Sequence, residues 1–204
     1  MTQPTTYTRE MVVGAAFELI REEGWSSVSA RSIAKRLGSS TMPIYSQLRS
    51  ISEVERALQI RARALLRDFQ KRSWTEDGLL NMAFGYVAFA RDEKNLFRFL
   101  YLERPEVIEA GDLSNMKQFF DAEHGDREDV ASALAAMEAS GLEALIEHSW
   151  IFTHGLAMLV NSGQLGNCPD ETILRLLRNA GEAFYLQAVR PWETSTEEAG
   201  GSDE

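Results

Sequence analysis

The sequence predicts an all-α protein, and three observations carry that expectation. Apolar residues recur at three- and four-residue spacing along most of the chain, cap residues and glycines punctuate those runs, and no segment alternates apolar and polar residues as a half-buried strand would. About nine helices are expected.

Thr8 can cap a first helix over 9–23, in which Met11, Ala15, Leu19 and Ile20 share a face and Gly24 is the stop. Ser29 caps a short second helix, with Val28 placed to staple onto Ile33 and Gly38 at the C′ position. Ser39-Ser40-Thr41 opens a third helix ending near Gln47, with Pro43 tolerated in the first turn because amides there have no intrahelical partner. Ser50-Ile51-Ser52-Glu53 reads as a capping box for a long fourth helix to about Arg72. Trp74 to Gly78 is a hinge, and 79–91 is a helix apolar on nearly every side, which implies enclosure by other helices. Helices near 94–103, 105–122 and 126–140 follow. Gly141 is a candidate break before a helix over 142–161, and Pro169 begins a last helix to about Val189. The expected domains are a three-helix unit over 1–50, a linking helix over 51–73, a helical body over 74–192 and an acidic, disordered tail over 193–204.

The 204 residues, 44% hydrophobic and 25% charged, have the composition of a globular protein and length enough for a real core. No apolar run reaches the roughly 18 residues of a bilayer span, so no membrane partner is expected. Met1–Thr8 lacks the blocks of a signal peptide and Cys168 is the single cysteine, so a cytoplasmic location is expected. The formal net charge of −10 argues against a polyanionic partner until its distribution is read. Residues 1–72 hold 12 Lys and Arg against 7 Asp and Glu, a net of +5, which leaves −15 for 73–204. The basic third can face phosphate, while the acidic remainder is repelled by it.

Three helices of roughly 15, 8 and 7 residues with a Gly-containing turn between the last two match the plan of a helix-turn-helix. The residues resemble the tetracycline-repressor (TetR) family over about 9–60: Ala15-Ala16, Leu19, Gly24-Trp25, the run Val28 to Gly38, and Pro43-Ile44-Tyr45. The resemblance implies a homodimeric transcriptional regulator that binds operator double-stranded DNA. It places Arg31 at a position used for base-edge or phosphate contacts, and Tyr45 where a hydroxyl meets a backbone phosphate. Thr41, Met42, Pro43, Ser46 and Gln47 belong to the reading helix, and Thr41, Met42, Ser46 and Gln47 are the candidates for direct readout. The family often has a phosphate-gripping lysine at the start of helix four; this chain has Ile51 there, and Arg49 is the candidate substitute.

Farther along, Trp150 to Gly155 resembles the tryptophan and histidine-glycine motif of one branch of such C-terminal domains. The resemblance implies that two helices pair with their mates as a four-helix bundle, with Trp150, His154, Gly155, Leu177, Ala180, Gly181 and Phe184 as interface candidates. A glycine inside a helix costs about 1 kcal/mol relative to alanine, so Gly155 and Gly181 call for a compensating contact, within the chain or across a dimer. His154 has no second ligand at metal spacing, since His148 is six residues away, and Asp121, Glu123, His124 and Asp126 read as a solvated loop. No cofactor, metal site or catalytic motif is expected.

The aromatic-rich stretch between head and bundle supplies Phe84, Phe89, Phe97, Tyr101, Phe119 and Phe120, which either pack the core or line a pocket for a small apolar effector, with Asn81 and Arg91 as polar groups. The leading reading is a repressor released by such an effector. The alternative is a helical ligand-binding or scaffold protein that has lost DNA affinity, and an enzyme ranks third.

Overall fold

The computed structural model describes residues 7–105 and 139–189, and among them every regular element is helical. Helix α1 (Arg9–Glu23) leads through a short 3-10 turn (Trp25–Ser27) to α2 (Ala30–Leu37), α3 (Met42–Gln47) and α4 (Ile51–Gln70). Then come α5 (Gly78–Asp92), α6 (Lys94–Arg98) with a π-helical turn continuing it over Phe99–Glu103, α7 (Ala139–Asn161) and α8 (Asp170–Val189). Apart from Pro105, Ala139 and Ser140, the helices expected over 105–122 and 126–140, the loop at 121–126 and the tail over 193–204 lie outside the described residues; Ala139 and Ser140 belong to α7 instead.

The ends of these helices are set by local chemistry. Thr8 accepts from the Met11 amide, while Ser29 and Ser32 each accept from the other's backbone N–H, closing the first turn of α2. Gly38 stops α2 at φ 64°, a left-handed conformation that glycine adopts without a Cβ penalty; the Ser39 amide bonds back to Ala34 O at 2.9 Å. That return bond uses up Ser39, so α3 starts three residues later than its first polar residue suggests, at Met42 with Pro43 next. At α4 the capping box is only half made. Ser50 Oγ accepts from the Glu53 amide, but the Glu53 carboxylate accepts from the Arg49 amide instead of Ser50's.

One continuous core joins these elements. Val12, Ala16, Ile20, Ile33, Ile44, Leu48, Val54 and Leu58 fill the three-helix head, and the same cluster continues through Leu66, Phe69, Phe84, Phe89 and Phe97 to Ala157 and Ile173. Helix α5 is enclosed as its all-round apolar surface requires, by α4, α7 and α8. Its contact with α4 is very close: a Cβ on Gly85 would lie 2.4 Å from Phe69 O. Gly141 does not break a helix. Helix α7 runs through it, and there a Cβ would stand 2.6 Å from Ala188 O of α8, so this glycine serves helix approach rather than a bend. No helix of the described residues is long and apolar enough to cross a membrane.

Candidate functional site

The beginning of α2, helix α3 and the beginning of α4 converge on one surface cleft of about 240 Å³, lined by Ser29, Ala30, Tyr45, Ser50 and Ile51 over a floor of Val28, Ile44, Leu48 and Val54. Buried Ile44 and Leu48 anchor α3 on the head, which leaves the opposite face of that helix to solvent. On it Met42 is 78% exposed and Tyr45 58% exposed. Thr41 is exposed with no side-chain cap bond, Ser46 is exposed but spends its hydroxyl on Pro43 O at 2.8 Å, and Pro43 and Gln47 are half-buried.

Arg31 and Arg49 adjoin this cleft through their neighbours Ala30 and Ser50, and both are exposed. Neither guanidinium has an ion pair or hydrogen bond within the described residues. Arg36, on the same short helix as Arg31, is committed to Glu22, and each holds the other in its charged form: the shared hydrogen bond lowers the Glu22 pKa and raises that of Arg36. Ile51 is 43% exposed on the rim, so an apolar side chain occupies the position where a cation is usual in the resembling family.

The aromatic residues of the body fall into two groups. Phe84 and Phe89 are buried, edge-on to Trp74 and Phe69 respectively. Phe97 and Tyr101 meet Tyr86 and the half-buried His154, on whose ring Trp150 stacks at 5.4 Å and 11°. The Tyr86 hydroxyl lies 2.9 Å from His154 Nδ1. Burial pushes the Tyr86 pKa well up and that of His154 down, which favours the neutral form of both. Phe119 and Phe120 lie outside the described residues.

Asn81 is buried, and both the oxygen and the nitrogen of its amide bond to the turn before α5. Its Oδ1 accepts from the Trp74 and Thr75 amides and the Thr75 hydroxyl, and its Nδ2 donates to Thr75 O. Arg91 pairs with Asp92 and with Asp170 of α8. Both proposed polar groups of a pocket are therefore accounted for by helix ends.

His154 turns toward the chain's own α5 and α6, meeting Tyr86 and Phe97, and Trp150 stacks on its ring. Their i, i+4 relation puts them on one stripe, and the Tyr86 hydroxyl fixes which neighbour that stripe meets. Leu177 is core, and Phe184 packs against His148 and Phe152. Gly155 and Gly181 differ: a Cβ on either would meet nothing within 4 Å among the described residues. Ala180 beside Gly181 is half-buried, and the exposed apolar side chains Ile151, Leu159 and Tyr185 lie within four residues of one or other glycine.

Head and body are also joined by contacts that no spacing in the sequence signals. Arg21 of α1 donates through Nε to Glu93 at 2.9 Å, Asn95 donates to Arg21 O, and Trp25 packs on Phe99 with centroids 5.1 Å apart. On the other side of the same junction, Asn161 of α7 donates to Ala90 O and Lys94 O. Among the described residues no group of three His, Cys, Asp or Glu could hold a metal ion.

No family model matches the chain. It is similar to an uncharacterized HTH-type transcriptional regulator of Mycobacterium tuberculosis, with 22% identity over 179 residues, a match that takes in 85% of this chain and 79% of that protein.

Proposed function

We propose that this chain is a sequence-specific DNA-binding transcriptional regulator of the TetR type, a homodimer that represses by holding its operator and leaves it on binding a small apolar effector. The observation that carries the DNA-binding part is the surface around α3. An exposed helix face stands beside two guanidiniums with no ion pair or hydrogen bond among the described residues, in the one third of the chain with net positive charge. The similarity to a protein named as a transcriptional regulator extends over most of both chains, which favours the same reading.

The dimer part draws on Gly155 and Gly181, whose cost inside a helix no contact among the described residues offsets, and on the exposed apolar side chains near them. The effector part draws on the ring cluster around His154, which shares α6 and the π-helical turn after it with the residues that touch the head: Phe97 and Tyr101 face His154, while Asn95 and Phe99 meet α1 and Trp25. A ligand that favours one arrangement of that cluster biases the head only by its differential affinity for the two states.

The test is a mobility shift on the DNA upstream of the chain's own gene at several salt concentrations, repeated with aromatic and acyl small molecules. A specific complex that weakens steeply with salt is expected, and an effector should raise the thermal midpoint while weakening that complex. Absence of any specific complex would favour a scaffold or ligand-binding protein without DNA affinity.

A further inference from the structure

We infer that Met42 reads thymine, through apolar contact of its thioether with the C5-methyl group in the major groove, and that this contact is a main source of sequence preference in α3. The inference rests on the DNA-binding reading above. It starts from the elimination of the other readers on that helix. Ser46 has its hydroxyl turned back onto Pro43 O at 2.8 Å, and Gln47 is half-buried. Tyr45 borders the cleft between the starts of α2 and α4, beside the guanidiniums of Arg31 and Arg49, which have no partner among the described residues and for which phosphate is the natural one.

Thr41 and Met42, at the start of the helix, remain. Met42 is 78% exposed, the most exposed large hydrophobic side chain among the described residues, and belongs to none of the buried clusters. A thioether is a weak acceptor and no donor, so it cannot discriminate bases by hydrogen bonding. The apolar feature that a base pair displays in the major groove is the thymine methyl. The unbranched side chain adapts to such a contact. The flanking cations supply the charge complementarity that brings the duplex to this face.

The experiment selects binding duplexes for the full chain from a randomised pool, then replaces each thymine of the selected site in turn by deoxyuridine, which keeps the Watson–Crick edge and removes only the methyl. Binding is read by fluorescence anisotropy at fixed salt. At one thymine per half-site the replacement should weaken wild-type binding about fourfold, the effect of losing one buried methyl. Met42→Ala should bind thymine and deoxyuridine sites equally, and Met42→Gln, similar in length but polar, should also lose the methyl dependence. Deoxyuridine tolerated at every position within twofold, or a penalty that persists unchanged in Met42→Ala, overturns the inference while leaving the DNA-binding reading in place. Enrichment of no duplex at all overturns both.

Discussion

The Tyr86 hydroxyl and Nδ1 of His154, 68 positions apart in sequence, are 2.9 Å apart in the fold, inside a cluster whose other members are Phe97, Tyr101 and Trp150. Among the described residues no carboxylate contacts the ring, so none of them compensates an imidazolium there. Burial lowers the His154 pKa below the ordinary 6.5. The unfolded chain therefore takes up a proton at a higher pH than the folded one. The stabilising contribution is fully present above about 6.5 and is lost as the pH falls through the folded-state pKa. Thermal unfolding between pH 8 and 5 should show a midpoint that declines on acidification, with a shallower decline in His154→Phe. Identical slopes for the two proteins would refute this assignment.

Arg31→Ala should cost about 1–3 kcal/mol of operator affinity if the guanidinium reads a base, and Tyr45→Phe less, since a single hydroxyl contact is lost. Arg49→Ala should weaken binding to all sequences alike and reduce the salt slope by about one. These effects are measured by titrating the selected duplex at several salt concentrations. Unchanged binding in both Arg31→Ala and Tyr45→Ala would remove this surface from the proposed interface.

Two kinds of glycine should respond oppositely to substitution. Gly85→Ala drives a Cβ to 2.4 Å from Phe69 O and 2.7 Å from Gln70 Cα, both backbone atoms, and should destabilise the fold by about 3 kcal/mol. Gly181→Leu places its Cβ in open space among the described residues, so the folded monomer should persist while the dimer opens. Sedimentation distinguishes the outcomes against a monomer of 22.9 kDa. A wild type that sediments only as monomer at micromolar concentration refutes the proposed interface.

Asn81→Ala should lower stability by about 2–3 kcal/mol, because it strips partners from the Trp74 and Thr75 amides and from Thr75 O at once. Calorimetry should show the loss, and effector affinity, measured below the new midpoint, should not change. An effector affinity that collapses while stability holds would return Asn81 to a ligand-binding role.

The helical class, the extents of α1 and α2 and the length of α4 to within two residues were legible in the linear chain. Their signals are local: a hydroxyl at Thr8 or Ser29 can reach only the amides of its own first turn, and Gly38 can stop a helix without help from distant residues. The exposed side of α3 was legible in part: Thr41, Met42 and Ser46, expected there, are exposed, while Gln47, expected with them, is half-buried. Where two local bonds compete, spacing alone misleads. Glu53 sits three residues after Ser50, yet its carboxylate takes the Arg49 amide. Long-range pairing left no such trace. Gly85, Gly155 and Gly181 look alike in sequence, and only packing puts backbone against the first and open space beside the others. Helical period likewise places Trp150 and His154 on one stripe, but which neighbour that stripe meets depends on how α7 is rotated against α5, and that rotation follows from the summed burial of many side chains rather than from any one of them.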